Sequence, residues 1–268
     1  MRIVIKIGTS TLAHPGGRLN IRRTEEICKI ISDIKNAGSE VIVVTSGAIG
    51  MGSGKLGLPG RPTDITTKQA AAAVGQCELM YTYDRLFGKY SHTVAQILLT
   101  ASDFSHGDRH ENLKNTLGRL LDLGAIPVIN ENDSVATDEI KVGDNDRLSA
   151  LVAVSAGAEL LIILSDTDGL YTADPREDPG AELIRRVEKI DGKLLALAGG
   201  SGSELGTGGM KTKLEAASIC LENSVDMAIA GGGCPSVLYD IIEGYPMGGP
   251  DPEKVKCTYF RAVKAIDK

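Results

Sequence analysis

Aromatic residues are scarce in this sequence, in which tryptophan is absent and phenylalanine occurs three times in 268 residues. The interior must therefore be built from aliphatic side chains, as in a Val- and Ile-rich parallel sheet covered on both faces. No apolar run approaches the length that spans a membrane. The apolar N-terminus is short and is interrupted by Lys6, so it is not a signal peptide. We expect a cytoplasmic protein with no membrane partner.

Metal and disulfide signatures are also missing. The five cysteines are odd in number and widely spaced, with no CxxC pair, so neither a zinc site nor a redox motif is predicted. The four histidines have no ligand spacing, and no metal site is predicted among the protein's own side chains. A net charge of −6 argues against broad binding to nucleic acid.

What is present is an alternation of helical and apolar segments. Helical spacing repeatedly ends at a glycine, such as Gly38, Gly124 or Gly157, and a short apolar run follows. This alternation predicts an α/β protein, with a mainly parallel sheet between two layers of helices. The predicted strands are Ile3–Ile7, Val41–Thr45, Ile126–Ile129, Leu160–Leu164 and Met227–Ala230.

Polar and glycine-rich clusters follow each predicted strand. In a parallel sheet the carboxyl ends of all strands lie at one edge, where backbone amides and helix N-termini can bind a ligand. The clusters, which are far apart in sequence, therefore predict a single site. They begin at Gly8, Ser46, Asn130, Ser165 and Gly231.

The segment 125–150 carries the densest polar cluster. It runs from an apolar strand through many acids and amides to an Ala-rich segment, and it is longer than most connections. These side chains suit a small charged ligand or a metal-nucleotide complex. The alternative is a solvated acidic loop.

Lysines among apolar or glycine-rich residues give a second signal. Lys6 lies inside a predicted buried strand, where it needs a negative partner such as a phosphate; alternatively it is an edge-strand lysine that blocks aggregation. The glycine-rich loop 46–52 is not a P-loop and allows either anion binding or plain flexibility. In 199–213, Lys211 and Lys213 lie at a helix start, where acids are normally favoured, which indicates an anionic ligand. The alternative, a disordered linker, fits only 199–203.

The motifs IVIKIGTS, VTSGAIGMG, PVINENDSVATDEIKVGDNDRLSA, LSDTDGLYTADPR and GTGGMKTKLEAA occur in this order. Together they resemble the glutamate 5-kinase family of the amino acid kinase superfamily, over about residues 3–244. The resemblance implies the amino acid kinase fold, with ATP and Mg²⁺ as cofactors and L-glutamate as the substrate. It implies phosphorylation of the glutamate side-chain carboxylate to glutamyl 5-phosphate, the first step of proline biosynthesis, with proline as a feedback inhibitor in many relatives.

Matching these motifs residue by residue gives expected roles. The expected catalytic residues are Lys6, Asp146 and Lys213. The expected glutamate-binding residues are Ser46, Gly47, Ala48, Asp133 and Asn145. The expected nucleotide-binding residues are Lys6, Gly8, Ser165, Asp166, Thr207, Gly208, Gly209, Met210, Lys211, Thr212 and Lys213. The resemblance assigns Mg²⁺ to the nucleotide phosphates rather than to a protein ligand, and Lys211 replaces a smaller residue common in relatives.

We expect one domain over 1–268, with a glutamate-binding part over about 1–155 and a nucleotide-binding part over about 156–268. We expect no RNA-binding C-terminal domain of the kind that many relatives carry, and the segment 248–260 has no assignment. A small apolar segment, Gln69–Met80, suits packing against a second subunit or within the core. We expect a homo-oligomer, either a dimer or a tetramer.

Two alternatives to the kinase assignment stay open at this stage. One is a sibling kinase that acts on aspartate or N-acetylglutamate, although an acid at position 133 favours a substrate with a free ammonium group. The other is a catalytically inactive amino-acid sensor of the same fold.

Overall fold

The computed structural model describes residues 1–14, 18–135, 145–197 and 209–263. The strands are β1 Arg2–Ile7, β2 Glu40–Val44, β3 Val94–Leu99, β4 Ile126–Glu131, β5 Leu160–Ser165, β6 Arg186–Val187, β7 Asp226–Gly231 and β8 Cys257–Phe260. The helices are α1 Thr9–Leu12, α2 Ile21–Asn36, α3 Ala48–Lys55, α4 Ile65–Gly88, α5 Ala101–Ser105, α6 Gly107–Asp122, α7 Asn145–Ser155, α8 Gly192–Leu197, α9 Met210–Glu222 and α10 Val237–Gly244.

The eight strands form one sheet in the order β3-β4-β2-β1-β5-β7-β8-β6. The first six strands in this order are parallel, and β8 pairs antiparallel with β7. The apolar side chains on the two faces of the sheet form two separate cores. One packs against α2, α4 and α10, and the other against α6, α7 and α9. The predicted α/β class and its three layers are therefore confirmed.

Side-chain alternation along β1 decides what each layer of helices meets. Ile3, Ile5 and Ile7 enter the core beneath α2 and α4, while Val4 enters the core on the opposite face. Because successive residues of a strand point to opposite faces, Lys6 lies on the same face as Val4. That face is covered by α7 and α9, so the fold directs the Lys6 side chain toward these two helices.

Each predicted strand exists and differs from its expected bounds by one or two residues. The glycines predicted to end helices have left-handed backbone conformations, with φ of +98° at Gly38, +76° at Gly124 and +62° at Gly157. Glycine adopts this conformation without the steric cost that a Cβ brings.

The sequence patterns did not assign β3, β6 or β8. The segment 248–260, which had no assignment, contributes β8 and extends the sheet beyond β7. At four residues, Cys257–Phe260 is too short for its apolar pattern to distinguish a strand from a buried turn.

The close approach of α3 and α4 depends on two glycines. A Cβ on Gly52 would lie 1.8 Å from the carbonyl oxygen of Ala71, and a Cβ on Gly75 would lie 1.8 Å from that of Ala48. The two backbones therefore touch at this crossing. The small residues of Gln69–Met80 thus serve packing within this chain on their buried face, and the expected oligomer stays a prediction.

Candidate active site

The polar clusters meet at the carboxyl edge of the parallel strands. Lys6 lies near the end of β1, Asn130 near the end of β4 and Ser165 at the end of β5. Ser46 follows β2, and Gly8 follows β1 directly. The strands β4, β2, β1 and β5 are consecutive in the sheet, so these residues lie side by side at one edge.

A buried carboxylate holds two lysines at this edge. Asp146 Oδ1 lies 2.6 Å from Lys6 Nζ, and Asp146 Oδ2 lies 3.0 Å from Lys213 Nζ. Asp146 is fully buried and each lysine is 6% exposed. The three residues, which we call the charged cluster, come from α7, β1 and α9. The alternative that Lys6 is an edge-strand lysine is wrong, because β1 lies between β2 and β5.

The two lysines keep the Asp146 carboxyl ionised. Burial by itself would raise the pKa of this carboxyl, but the adjacent ammonium groups of Lys6 and Lys213 outweigh burial and lower the pKa to about 2. The hydroxyl of Thr212 also donates to Asp146 Oδ2 at 3.1 Å. The charged cluster thus carries two positive charges and one negative charge, which leaves a net positive charge beside the strand ends.

Lys213 lies in the first turn of α9, where the helix dipole disfavours a cation. From the sequence alone, a lysine at this position indicates an anionic ligand. The structure shows that Asp146, itself in the first turn of α7, supplies a negative partner inside the protein. Lys211 on the same helix is exposed, and the structure does not bring it into the charged cluster.

A second, uncharged network begins at Asn145, the residue before Asp146. Asn145 Nδ2 donates to the carbonyl of Thr45 at 2.5 Å, to Ser46 Oγ at 3.1 Å and to Asn130 Oδ1 at 2.7 Å. Asn130 Nδ2 in turn donates to Gln76 Oε1 at 2.9 Å. We call Gln76, Asn130 and Asn145 the amide relay.

Sequence reasoning placed Asn130 in the polar cluster but gave no role to Gln76. The available signal was a glutamine within the Ala-rich segment QAAAAVGQCELM, an unusual residue for a small apolar helix face. Without the fold, nothing showed that this helix passes over the end of β4.

The remaining glutamate-binding candidates lie around the amide relay. Gly47 caps the N-terminus of α3 in the left-handed conformation, with φ of +98°. Ala48 is buried at the first position of this helix, and Asp133 lies half-buried in the turn that follows β4. The structure thus brings Ser46, Gly47 and Asn145 together. They lie next to the charged cluster, because Asn145 and Asp146 are consecutive residues.

The nucleotide-binding candidates lie on the other side of β1. Gly8 N donates to the carbonyl of Leu164 at 3.3 Å, and a Cβ on Gly8 would lie 3.7 Å from Lys6 Nζ. Ser165 Oγ donates to Asp166 Oδ1 at 3.0 Å. Gly209 and Met210 form the start of α9. Thr207 and Gly208 lie outside the described residues.

The described part of the chain contains no group of three or more His, Cys, Asp or Glu side chains placed to hold a metal ion. At the charged cluster, both oxygens of Asp146 already contact ammonium groups. Within the same described ranges, no helix is long and apolar enough to cross a membrane.

The profile of the amino acid kinase family matches residues 1–231. The chain belongs to this family.

Within the family, its relatives include glutamate 5-kinases. The glutamate 5-kinase of Clostridium perfringens (strain 13 / Type A) is 48% identical over 251 residues, which cover 92% of this chain and 93% of that protein. The glutamate 5-kinase of Clostridium acetobutylicum is 52% identical over 241 residues, which cover 90% of each chain. A crystal structure of an isopentenyl phosphate kinase substrate complex shares the fold, with a TM-score of 0.65 and 18% identity over 97% of this chain and 100% of that chain.

Proposed function

We propose that this chain transfers the γ-phosphoryl group of ATP to the side-chain carboxylate of L-glutamate. The product is glutamyl 5-phosphate, with which proline biosynthesis begins. Two findings support this activity: membership of the amino acid kinase family, and about 50% identity to glutamate 5-kinases over nine-tenths of the chain. The observation that carries the chemistry is the buried charged cluster, in which Asp146 holds Lys6 and Lys213 together.

The residue types fit the reaction. A side-chain carboxylate has an ordinary pKa near ~4.3, so glutamate is already an ionised nucleophile at neutral pH. The reaction therefore needs no general base at the acceptor, only the approach of two anions. Lys6 and Lys213 neutralise charge on the transferring phosphoryl group, and their fixed positions avoid reorganisation during the transfer.

Asp146 has a positioning role in this proposal. Its two oxygens set the spacing of the two ammonium groups, which would otherwise repel one another. Because its pKa is lowered, Asp146 stays ionised and does not take part in proton transfer. Ser46 and Asn145 line the glutamate site, and Asp133 receives the substrate ammonium.

We assign the nucleotide to the part of the edge formed by Gly8, Ser165, Asp166 and the start of α9. Mg²⁺ bound to the phosphate oxygens of the nucleotide would neutralise part of their negative charge. Both Asp146 oxygens are engaged by lysines, so we do not assign Asp146 as a direct metal ligand. The proposal also includes a glutamate-binding part over about 1–155 and a nucleotide-binding part over about 156–268. It further includes a homo-oligomeric state and inhibition by proline.

Measuring ADP release and hydroxamate formation tests this function. The purified chain is supplied with ATP and Mg²⁺ and, in separate reactions, with glutamate, aspartate or N-acetylglutamate. We expect turnover with glutamate at least about tenfold above either competitor, because about 50% identity to glutamate 5-kinases favours glutamate over aspartate and Asp133 favours a free ammonium over an acetylated one. Faster turnover with a competitor would identify a sibling kinase, and binding of glutamate without ADP release would identify a sensor.

A further inference from the structure

Gln76 is a buried polar residue on α4 that the mechanism above does not use. Its side chain is 8% exposed and its Oε1 accepts a hydrogen bond from Asn130 Nδ2. Through Asn130 it connects to Asn145, which also contacts Ser46. A helix outside the sheet is thus joined by hydrogen bonds to the proposed amino acid site.

Backbone groups fix the direction of every amide in the relay. The carbonyl of Thr45 can only accept, so the nitrogen of Asn145 must face it. Asn130 Oδ1 receives both Asn145 Nδ2 and the backbone N–H of Glu131, so Asn130 presents its own nitrogen to Gln76. Gln76 must therefore present its oxygen to Asn130, which directs its nitrogen elsewhere.

The other polar atom of the Gln76 amide is its nitrogen, Nε2. Within the described residues, the buried Nε2 has no hydrogen-bond partner. A buried donor without a partner lowers stability, and an apolar side chain of the same size avoids that cost. An apolar side chain would remove the unpartnered Nε2 but would leave Asn130 Nδ2 without its acceptor, so the working part of the amide is the oxygen that faces Asn130.

We propose that Gln76 is a positioning residue for the amino acid substrate, and this inference rests on the proposed kinase function. Its Oε1 holds Asn130, which orients Asn145 and Ser46 for binding. Asn130 lies on β4 and Lys6 on β1, two strands apart in the sheet, which corresponds to about 10 Å. Gln76 therefore acts on binding of the amino acid and not on the nucleotide or on phosphoryl transfer.

Steady-state kinetics of Gln76→Met test the proposal. The methionine keeps the side-chain volume but removes the acceptor, so Asn130 and Asn145 lose their fixed orientation. We expect the glutamate KM to rise about tenfold, the size expected for one hydrogen bond, with the ATP KM and kcat within about threefold of wild type. The variant removes the unpartnered Nε2 but leaves Asn130 Nδ2 without its acceptor, and because these two effects oppose each other the melting temperature should stay within about 3 °C.

Gln76→Glu is the conservative rescue. A carboxyl group keeps an acceptor oxygen toward Asn130 Nδ2 in either protonation state, so we expect a glutamate KM within about threefold of wild type. Leu79→Met is the matched control, because Leu79 is buried on the same helix and has no polar group. If Gln76→Met does not fold, Gln76→Asn carries the test, since its shorter amide cannot reach Asn130.

A folded Gln76→Met with a wild-type glutamate KM would overturn the inference. So would a parallel rise in the KM values of glutamate and ATP, or a Gln76→Glu variant that behaves like Gln76→Met. The wild-type reaction separates this from the proposed function: without turnover on glutamate the kinase assignment fails, whereas with turnover the variants decide the role of Gln76.

Discussion

The charged cluster and the amide relay lie next to each other at the same sheet edge but are held together differently. In the charged cluster, a fully buried carboxylate contacts two buried lysines from distant parts of the chain. In the amide relay, neutral side chains are oriented by backbone groups. The two meet at the peptide bond between Asn145 and Asp146. In the proposed function, one helix start therefore supplies both a charged centre for phosphate and an uncharged frame for the amino acid.

The largest expected effect concerns the charged cluster. Asp146→Asn leaves two buried lysines without a counter-charge, and removing one partner of a buried ion pair typically costs about 3–5 kcal/mol. We expect a loss of this size in the free energy of unfolding, measured by urea denaturation, together with loss of turnover. A variant as stable as wild type would show that Asp146 does not hold the two lysines.

Lys213→Ala tests the role of the charged cluster in phosphoryl transfer. Loss of one preorganised charge should lower kcat by ~10²–10³, by analogy with removing one transition-state stabiliser. The glutamate KM should change little, because Lys213 lies outside the amide relay. Lys29→Ala, at an exposed position on α2, is the control and should retain wild-type kcat. Wild-type turnover in Lys213→Ala would refute the assignment.

The close packing of α3 against α4 supports the amide relay, because Gln76 lies on α4. Gly52→Ala places a methyl group against the backbone of Ala71, and such overpacking costs about 1–3 kcal/mol. Gly54→Ala, two residues further along α3, meets nothing within 4 Å and should be neutral or stabilising by up to about 1 kcal/mol. Thermal unfolding of the pair measures the contrast, and equal effects would show that the crossing is not tightly packed.

The smallest expected effect is a pH dependence of stability. The pKa of Asp146 is lowered to about 2 in the folded protein, against 3.8 for an ordinary aspartate. Its contribution, about 2 kcal/mol, is present above about pH 4 and is lost as pH falls through the folded pKa. Other carboxyl groups with a lowered pKa, such as Asp64, also lose stabilising interactions in acid, so urea titrations between pH 5 and pH 2 should show a loss of stability about 2 kcal/mol larger in wild type than in Asp146→Asn. The same acid dependence in both proteins would assign it to other groups.

The sequence predicted the charged cluster better than the amide relay. Lys6 in a buried strand needs a negative partner, and Lys213 at a helix start is equally anomalous, so each residue signals its role locally. Gln76 carries only a weak signal, a glutamine in an Ala-rich helical segment, and its role becomes clear only when the fold places that helix over β4. Likewise, the central strands have distinct apolar patterns, whereas the four residues of β8 acquire strand structure from pairing with β7.

We propose that the charged cluster acts on phosphoryl transfer and that the amide relay acts on binding of the amino acid. The decisive experiment measures kcat and the glutamate KM for Lys213→Ala and Gln76→Met side by side. We expect a fall in kcat of ~10²–10³ with a nearly unchanged KM for the first variant, and about a tenfold rise in KM with a nearly unchanged kcat for the second. If both variants lower kcat and raise KM in the same proportion, the division between the two regions is wrong.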